Sequence, residues 1–507
     1  MTLRFPAAVL LIALWPGSLP AQGQVLPPSV ALTHVSVLDV RTGSVRPDQT
    51  VIVTGTRIAA VDQAGRVAVP AGALIVDATG KYLMPGLWDM HTHIIDPDTP
   101  GTPDVVFPLL VANGVTGVRD MGSADLDSII AIRSALRAGA RLGPRMLLAG
   151  KALDGLPAIF PPDEILVRTP AEGRRAVDSL AARGVDFIKP YEMLQRDVFL
   201  AIVDAAKQHR LPLAAHVPLA LDAGEASDLG VRSFEHLRNI ELACSSLADS
   251  LRTARVLVLA REASRPDTTG LAFGWSLGYG PGALVRAQIH REQRPRARET
   301  FDAARCDALL RRLARNGTWQ DATLVVDDVA RLDTMATVRA TLRYVPEATR
   351  ALWERTVAGW DATGTHGAGR GRADIEAQAA WYLKLVGLMA KRGVGILAGT
   401  DISNPYLIPG FSLHEELGQL VRAGLTPLEA IRAATLNPAR YLAATDSLGT
   451  VEVGRLADLV LLDADPFQDI GNTRKIRAVM LNGRYLDRGA LDGLLADAER
   501  AASTRPR

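Results

Sequence analysis

Apolar and polar positions fall into three regimes along this chain. Residues 30–83 carry short β signals: Ala31 to Val40 is mostly β-branched and apolar, Val51 to Val53 and Arg57 to Val61 follow, and Gly55 and Gly65 interrupt them. Ala73 to Val76 and Tyr82 to Leu83 continue the pattern. Turn residues recur every eight to twelve positions or so, the spacing of a small sheet or sandwich. Near the other end, Leu459 to Leu462 and Ala478 to Leu481 are buried-strand runs, the second followed by the turn Asn482-Gly483. The two ends together predict one composite β-sandwich domain, 30–83 plus 446–488, with 489–507 as a C-terminal tail.

Between them, over 84–445, short apolar runs alternate with helical patterns, as parallel strands and crossover helices do. The strand candidates are Met84 to Met90, Val115 to Val118, Met146 to Ala149, Val185 to Ile188, Leu211 to Ala215, Val231 to Phe234, Thr318 to Val326 and Val394 to Ala398. Eight such units predict an α/β fold, a (β/α)8 TIM barrel. Helix starts are legible: Thr169-Pro170-Ala171-Glu172 has a capping hydroxyl, Pro at the first helical position and Glu at the third, and Thr426-Pro427-Leu428-Glu429 repeats it. From Leu194 to Arg210, Phe199, Ile202, Val203 and Ala206 share one helical face. Two stretches break the rhythm, about 240–317 and 327–390. The first holds a Gly/Pro-rich segment, Gly270 to Gly282, and a basic run from Arg286 to Arg298; the second holds Gly364 to Arg372. They predict insertions over the face of a barrel where active sites form, with the basic run as a solvated helix face and a substrate carboxylate as its other use.

Composition adds limits. The chain has 507 residues, 22% of them charged, and a net charge of +2 with both signs mixed, so nothing points to nucleic acid. Arg4, the apolar run Ala7 to Leu14 and the small, polar exit Ser18 to Gln24 predict a signal peptide over 1–23, cleaved after Ala21 or Gly23. The run is far short of the ~20 residues that span a bilayer. The expectation is therefore a periplasmic or secreted protein, free of the membrane after cleavage, acting on a small molecule, its oligomeric state open. Cys244 and Cys306 are the only cysteines; sequence alone does not bring them within bonding range, so the expectation is two unpaired structural cysteines.

The histidines sharpen the picture. His91-Thr92-His93 closes the first barrel strand, and residues two apart in a strand share a face, so both imidazoles can meet one ion. Lys189 ends Val185 to Ile188, where a bare ammonium facing a barrel interior is costly. His216, His236 and Asp401 also end predicted strands. Imidazole and carboxylate at the C-terminal ends of barrel strands are what a divalent-metal site needs. Tyr191 shares the face of Lys189. Asp120 ends the second strand as a ligand-orienting group or a helix cap. His34, His209, His290, His366 and His414 are read as structural.

The motifs Met84-Pro85-Gly86-Leu87-Trp88-Asp89-Met90-His91-Thr92-His93, Gly114-Val115-Thr116-Gly117-Val118-Arg119-Asp120, Phe187-Ile188-Lys189, Ala215-His216-Val217-Pro218, Phe234-Glu235-His236-Leu237 and Ala398-Gly399-Thr400-Asp401 make the chain resemble the metal-dependent amidohydrolase superfamily. The similarity is to its imidazolonepropionase-like and prolidase-like branch. The resemblance implies two divalent ions, zinc first, with His91, His93 and Asp401 on the buried one and His216 and His236 on the other. It implies an N6-carboxylated Lys189 bridging both. A hydroxide shared by the ions would attack an amide carbonyl of a dipeptide or N-acyl amino acid. Asp401 would move the proton to the leaving nitrogen, and Tyr191 would donate to the oxyanion. The rivals are a mononuclear imidazolonepropionase-like ring opener, a deaminase, a lactonase, esterase or organophosphate hydrolase, and a non-catalytic scaffold. The deaminases of the superfamily place a glutamate three residues past the strand-5 histidine; here that residue is Leu219.

Overall fold

The computed structural model describes residues 29–95, 102–161, 163–263, 280–328, 339–363, 372–402 and 404–504. The expected signal peptide lies outside the described residues, as do Gly364 to Gly371 and most of the Gly/Pro-rich segment.

Strands β1 (Ser29–Leu38), β2 (Val45–Thr54), β3 (Arg57–Gln63), β4 (Leu74–Asp77) and β5 (Tyr82–Pro85) form the N-terminal part of one sheet. Strands β6 (Leu87–Thr92), β7 (Val115–Asp120) and β8 (Arg145–Leu148) form a parallel array, and β9 (Ala152–Asp154) pairs with β10 (Glu164–Leu166). A second parallel array holds β11 (Ala214–Ala215), β12 (Ser233–Glu235), β13 (Trp319–Asp321) and β14 (Ile396–Leu397). Strands β15 (Leu459–Leu462), β16 (Ile476–Leu481) and β17 (Arg484–Leu486) return to the first sheet.

That sheet runs β17-β16-β15-β5-β1-β2-β3, with β4 also on β1. The seam between chain ends is β5 against β15, Met84 opposite Val460. The expected two-sheet sandwich thus takes the form of one hydrogen-bonded sheet. Long β1 serves β4 along its first half and β5 along its second. Its apolar side chains (Val30, Leu32, Val35, Val37, Val51, Leu459, Leu461) form a cluster of their own.

The chain passes from β5 to β6 at Gly86, where a Cβ would run into Thr116 on β7. The motif expected to be one strand, Met84 to Met90, is therefore split between two sheets. The two parallel arrays are tied by backbone bonds. Asp186 N donates to Leu148 O at 2.9 Å, Ile188 N to Pro212 O at 3.0 Å, and Met90 N to Ala398 O at 2.9 Å. Val185 to Ile188 contributes only an isolated bridge, Ile188 to Leu213, rather than a full strand. Thr318 to Val326 is a short strand followed by a 3-10 turn, Leu324–Asp327. Both capping boxes form as expected, at Thr169 and Thr426.

The described part of the C-terminal tail is helical: helix Arg488–Ser503 lies on helix Pro103–Ala112, burying Leu491, Ala498 and Ala502. Two expectations are corrected. Cys244 and Cys306 are not free but disulfide-bonded, their Cα atoms 4.3 Å apart. The basic run is solvated on one face only: helix Pro281–Glu299 leaves Arg291 and Arg296 exposed and buries Arg286, His290, Gln293 and Arg294 on the side of Glu192.

Candidate metal centre

The four expected histidines converge. Ring centroids of His91 and His93 are 5.7 Å apart, of His91 and His236 4.9 Å, and of His216 and His236 4.6 Å. Asp401 reaches across them. Its Oδ1 is 3.4 Å from both His91 Nε2 and His93 Nε2, and its Oδ2 is 3.6 Å from His236 Nε2. Lys189 is buried beside this group, close enough for its charge to act on His91, His216, Glu235 and Asp401. The Tyr191 ring lies 4.1 Å from the His216 ring and 5.9 Å from Lys189 Nζ.

Each imidazole is held by its other nitrogen. His91 Nδ1 is 2.9 Å from Glu235 Oε2, His93 Nδ1 3.0 Å from Gly122 O, His216 Nδ1 2.8 Å from Glu192 Oε1, and His236 Nδ1 2.5 Å from Thr323 Oγ1. Carboxylates and carbonyls only accept, so His91, His93 and His216 carry their proton on Nδ1. The Thr323 hydroxyl donates to Ala322 O at 2.8 Å, which leaves its oxygen to accept from His236 Nδ1. The Nε2 atoms of His91, His93 and His236 then face Asp401, and the His216 ring lies against the His236 ring. His91 Nε2 is buried with no hydrogen-bond partner. A bare imidazole lone pair, three further ones and a carboxylate make a donor set that fits a divalent ion, and outer partners of this type orient metal-bound histidines. Among the described residues, His91, His236 and Asp401 have ligand atoms mutually close enough for one ion, as do His91, Glu235 and Asp321.

Electrostatics favour the ligating protonation states. Burial pulls the His91 imidazole down to about 4, helped by the Lys189 charge, and pulls His216 and His236 well below the usual range. Asp401 is held low against its own burial by His91 and His93. Burial pulls the Lys189 ammonium down to about 8, against the pull of Glu235 and Asp401.

Backbone strain sits at the ligands. His236 has φ 60°, Asp401 φ 58° and Thr323 φ 46°, all left-handed and not glycine. At His236 the kink breaks the two-residue alternation of β12, so Glu235 and His236 both face His91. Glu235 was for that reason missed in the sequence, though it lies inside a quoted motif. Arg119, fully buried, donates to both Glu235 oxygens at 3.0 and 2.9 Å and to Asp321 at 3.3 Å, fixing the carboxylate that holds His91. Asp89 accepts from Thr400 Oγ1 at 2.6 Å and Thr400 N at 3.0 Å, pinning the turn that carries Asp401 to β6. At Gly399 in that turn, a Cβ would meet Asp321 and His91. Asp120 caps no helix: it accepts from Ile94 N at 2.8 Å and Ser123 Oγ at 3.0 Å, and Asp125 caps the helix that follows.

The amidohydrolase family model matches residues 82–260 and 372–486, more than half of the chain, and takes in His91, His93, Lys189, His216, His236 and Asp401 but not Asp321 or Thr323. The chain belongs to the amidohydrolase family. An imidazolonepropionase of Brevibacillus brevis is 37% identical over 84 residues, 16% of this chain and 19% of that protein. Such curated relatives are matched over less than a quarter of their own length. Solved structures extend the likeness of fold. A putative prolidase from Bifidobacterium longum is 23% identical with a TM-score of 0.60, covering 93% of this chain and 99% of its own. A bottromycin amidohydrolase is 24% identical with a TM-score of 0.66, covering 94% and 91%. The amidohydrolase family is metal-dependent, which agrees with the ligand-like cluster.

Proposed function

We propose that this amidohydrolase hydrolyses an amide bond of a small molecule, a dipeptide or N-acyl amino acid, at a site for two divalent ions, zinc first. The observation that carries this reading is the set of four histidines with every Nδ1 engaged, three of which, His91, His93 and His236, bring Nε2 to one carboxylate. His91, His93 and Asp401 would hold one ion and His216 and His236 the other, with carboxylated Lys189 between them. When bound, such a pair acts as a Lewis acid and brings a shared water's pKa near neutrality.

The chain's own groups supply the rest. Lys189, pulled down to about 8 by burial, offers more of the neutral amine that carboxylation needs than an ordinary lysine does. Its nitrogen adds to the carbon of carbon dioxide and releases a proton, turning a costly buried cation into an anion. Asp401 accepts a proton from the attacking water and passes it to the leaving nitrogen. Tyr191, whose hydroxyl burial keeps protonated, donates to the oxyanion. Leu219, buried and apolar, stands where a deaminase would need a carboxylate.

The two parallel arrays, tied by backbone bonds at both seams, support a closed (β/α)8 barrel with the cluster at the strand ends. The disulfide supports export to an oxidising compartment. Among the described residues, no helix is long and apolar enough to cross a membrane.

Metal analysis after zinc loading tests the reading, together with hydrolysis of a panel of dipeptides and N-acyl amino acids. Two equivalents of metal and turnover of an amide are expected. One equivalent would favour a mononuclear site, and none would leave a scaffold. Replacing a partner that merely orients a ligand weakens metal affinity by about 10–100-fold. Lys189→Ala should exceed that loss in both metal content and rate; near-normal turnover would refute the bridging role.

A further inference from the structure

The parallel strands that lead to the histidine cluster begin at a cavity. Arg232 leads into β12, Trp319 opens β13 and Gly395 leads into β14, while β12 and β14 run on to His236 and Asp401 at their other ends. The cavity at the near ends holds about 450 Å³, room for a small molecule. Catalytic groups of parallel α/β barrels gather at strand C-termini, so a cavity at the N-termini is a separate site.

Three guanidiniums line it, from Arg232, Arg432 and Arg440. Two of them are held by carbonyls. Arg232 Nη2 donates to Tyr441 O at 3.1 Å and to Arg440 O at 3.4 Å, at the C-terminal end of helix Leu436–Tyr441. Arg432 donates Nε to Val40 O at 2.6 Å and Nη2 to Arg41 O at 2.5 Å, in the turn that follows β1. A carbonyl fixes a guanidinium in place without bringing a full opposing charge. Arg440 is exposed, and its side chain has no hydrogen bond or ion pair to any described residue. The charges that act on it are those of Arg432 and Arg41, which add to partial burial in holding its pKa below the usual arginine value. Arg41 itself pairs with Glu452 at 3.2 Å. Glu429, the acidic residue of the wall, accepts from Thr426 N at 2.8 Å and Thr426 Oγ1 at 2.9 Å in its capping box.

The remaining wall is apolar. The Trp319 indole lies against Gly395, where a Cβ would run into the ring, and Ile396 and Leu425 continue the surface. Charged and apolar walls share one support. Arg232 covers the Tyr441 ring at 5.5 Å, and Trp319 meets that ring edge-on at 6.2 Å.

We propose that this cavity at the strand N-termini binds a small molecule with an oxyanion head, a phosphate-type group or a pair of carboxylates, on an apolar body. The head takes the guanidiniums of Arg232 and Arg440, whose planar forks match such oxygens, and the body lies on Trp319. The site is distinct from the metal centre and does not depend on which reaction runs there.

Calorimetry of the zinc-loaded protein with phenylphosphonate and with benzene-1,3-dicarboxylate tests it, with benzyl alcohol as the neutral control. At least one anion should bind with a Kd of about 1 mM or tighter, and added salt should weaken it. Which of the two binds tells a phosphate-type head from a dicarboxylate; either supports the site. Arg440→Met should weaken that binding by about 10-fold or more. The side chain is exposed and makes no internal bond, so the fold should survive its loss. Arg440→Lys keeps the charge but not the fork and should retain part of the affinity. Binding that Arg440→Met leaves unchanged would put the anion elsewhere, on the ions first, and overturn the proposal. Equal binding of benzyl alcohol would overturn it too. So would failure of both anions to bind, which would leave Arg232 and Arg432 as ties between backbone segments and nothing more.

Discussion

Thr323 shows how much of this centre is set by single residues with no chemistry of their own. A β-branched residue at φ 46° is strained, yet that conformation aims its hydroxyl at His236 Nδ1. Thr323→Val keeps the shape and removes the acceptor. His236 then loses what fixes its tautomer, and metal affinity should fall by about 10–100-fold while the fold stays intact. Competition with a chelator of known zinc affinity measures it; an unchanged affinity would mean that packing alone orients the ring. That His91, His93, Lys189, His216, His236 and Asp401 gather in one place was legible, because each ends a predicted strand. Their supports were not. Glu235 looks like the outward residue of a strand until the left-handed turn at His236 brings it in, and Thr323 and Glu192 are distant in sequence from the rings they hold.

At the scale of elements, His414 joins three of them. It lies on helix Phe411–Arg422, with Nδ1 2.9 Å from Thr473 Oγ1 in the 3-10 turn before β16 and Nε2 3.1 Å from Asn113 O at the end of helix Pro103–Ala112. A carbonyl only accepts, so Nε2 carries the proton and Nδ1 is left as an acceptor beside the Thr473 hydroxyl, which Ile470 O also approaches at 2.8 Å. Burial pulls this imidazole down to about 3, helped by Arg474. Above pH ~6.5 both folded and unfolded chains leave it neutral, and it adds no pH dependence. Below that, the unfolded chain takes up a proton that the folded one refuses, so stability falls with pH until about 3. The slope is about 1.4 kcal/mol per pH unit. Other buried histidines add to the same limb, so the difference between wild type and His414→Gln isolates this one. Urea unfolding between pH 4 and 6.5 or so should show a shallower acid loss in the variant; parallel curves would remove His414 from the account. Reading His414 as a packing residue needed only its place on an apolar helix face. Reading Met84 to Met90 as a single strand failed because hydropathy does not register a change of sheet. Gly86, which permits that change, looks like any other glycine in a strand motif.

At the scale of the molecule, the insertion carrying Arg286 is closed at its neck. Cys244 ends helix Arg238–Ala243 and Cys306 lies on helix Ala303–Asn316, joined across 62 residues. Ser246 N donates to Thr300 O at 2.9 Å and Asp302 N to Cys244 O at 2.9 Å, so a short ladder runs beside the disulfide. Neither the bond nor the inward face of helix Pro281–Glu299 could be read from spacing: cysteines far apart in sequence carry no pairing signal, and a basic stripe is usually a solvated one. A cross-link closing a loop of that length removes unfolded-state entropy equivalent to about 4 kcal/mol. The double variant Cys244→Ala/Cys306→Ala should therefore lose up to about 4 kcal/mol in equilibrium unfolding by urea. The metal ligands sit on other elements and should keep their ions. The cationic stripe does not share that independence, because the neck holds helix Pro281–Glu299 over Glu192. Opening it should loosen Arg286 and His290 from Glu192, the carboxylate that orients His216, and so lower turnover more than metal content. A variant with full stability would show that the ladder alone closes the neck. One that loses stability but keeps its turnover would show that the helix is seated by its ion pairs, Arg294 with Glu241 and Arg298 with Asp374, rather than by the cross-link.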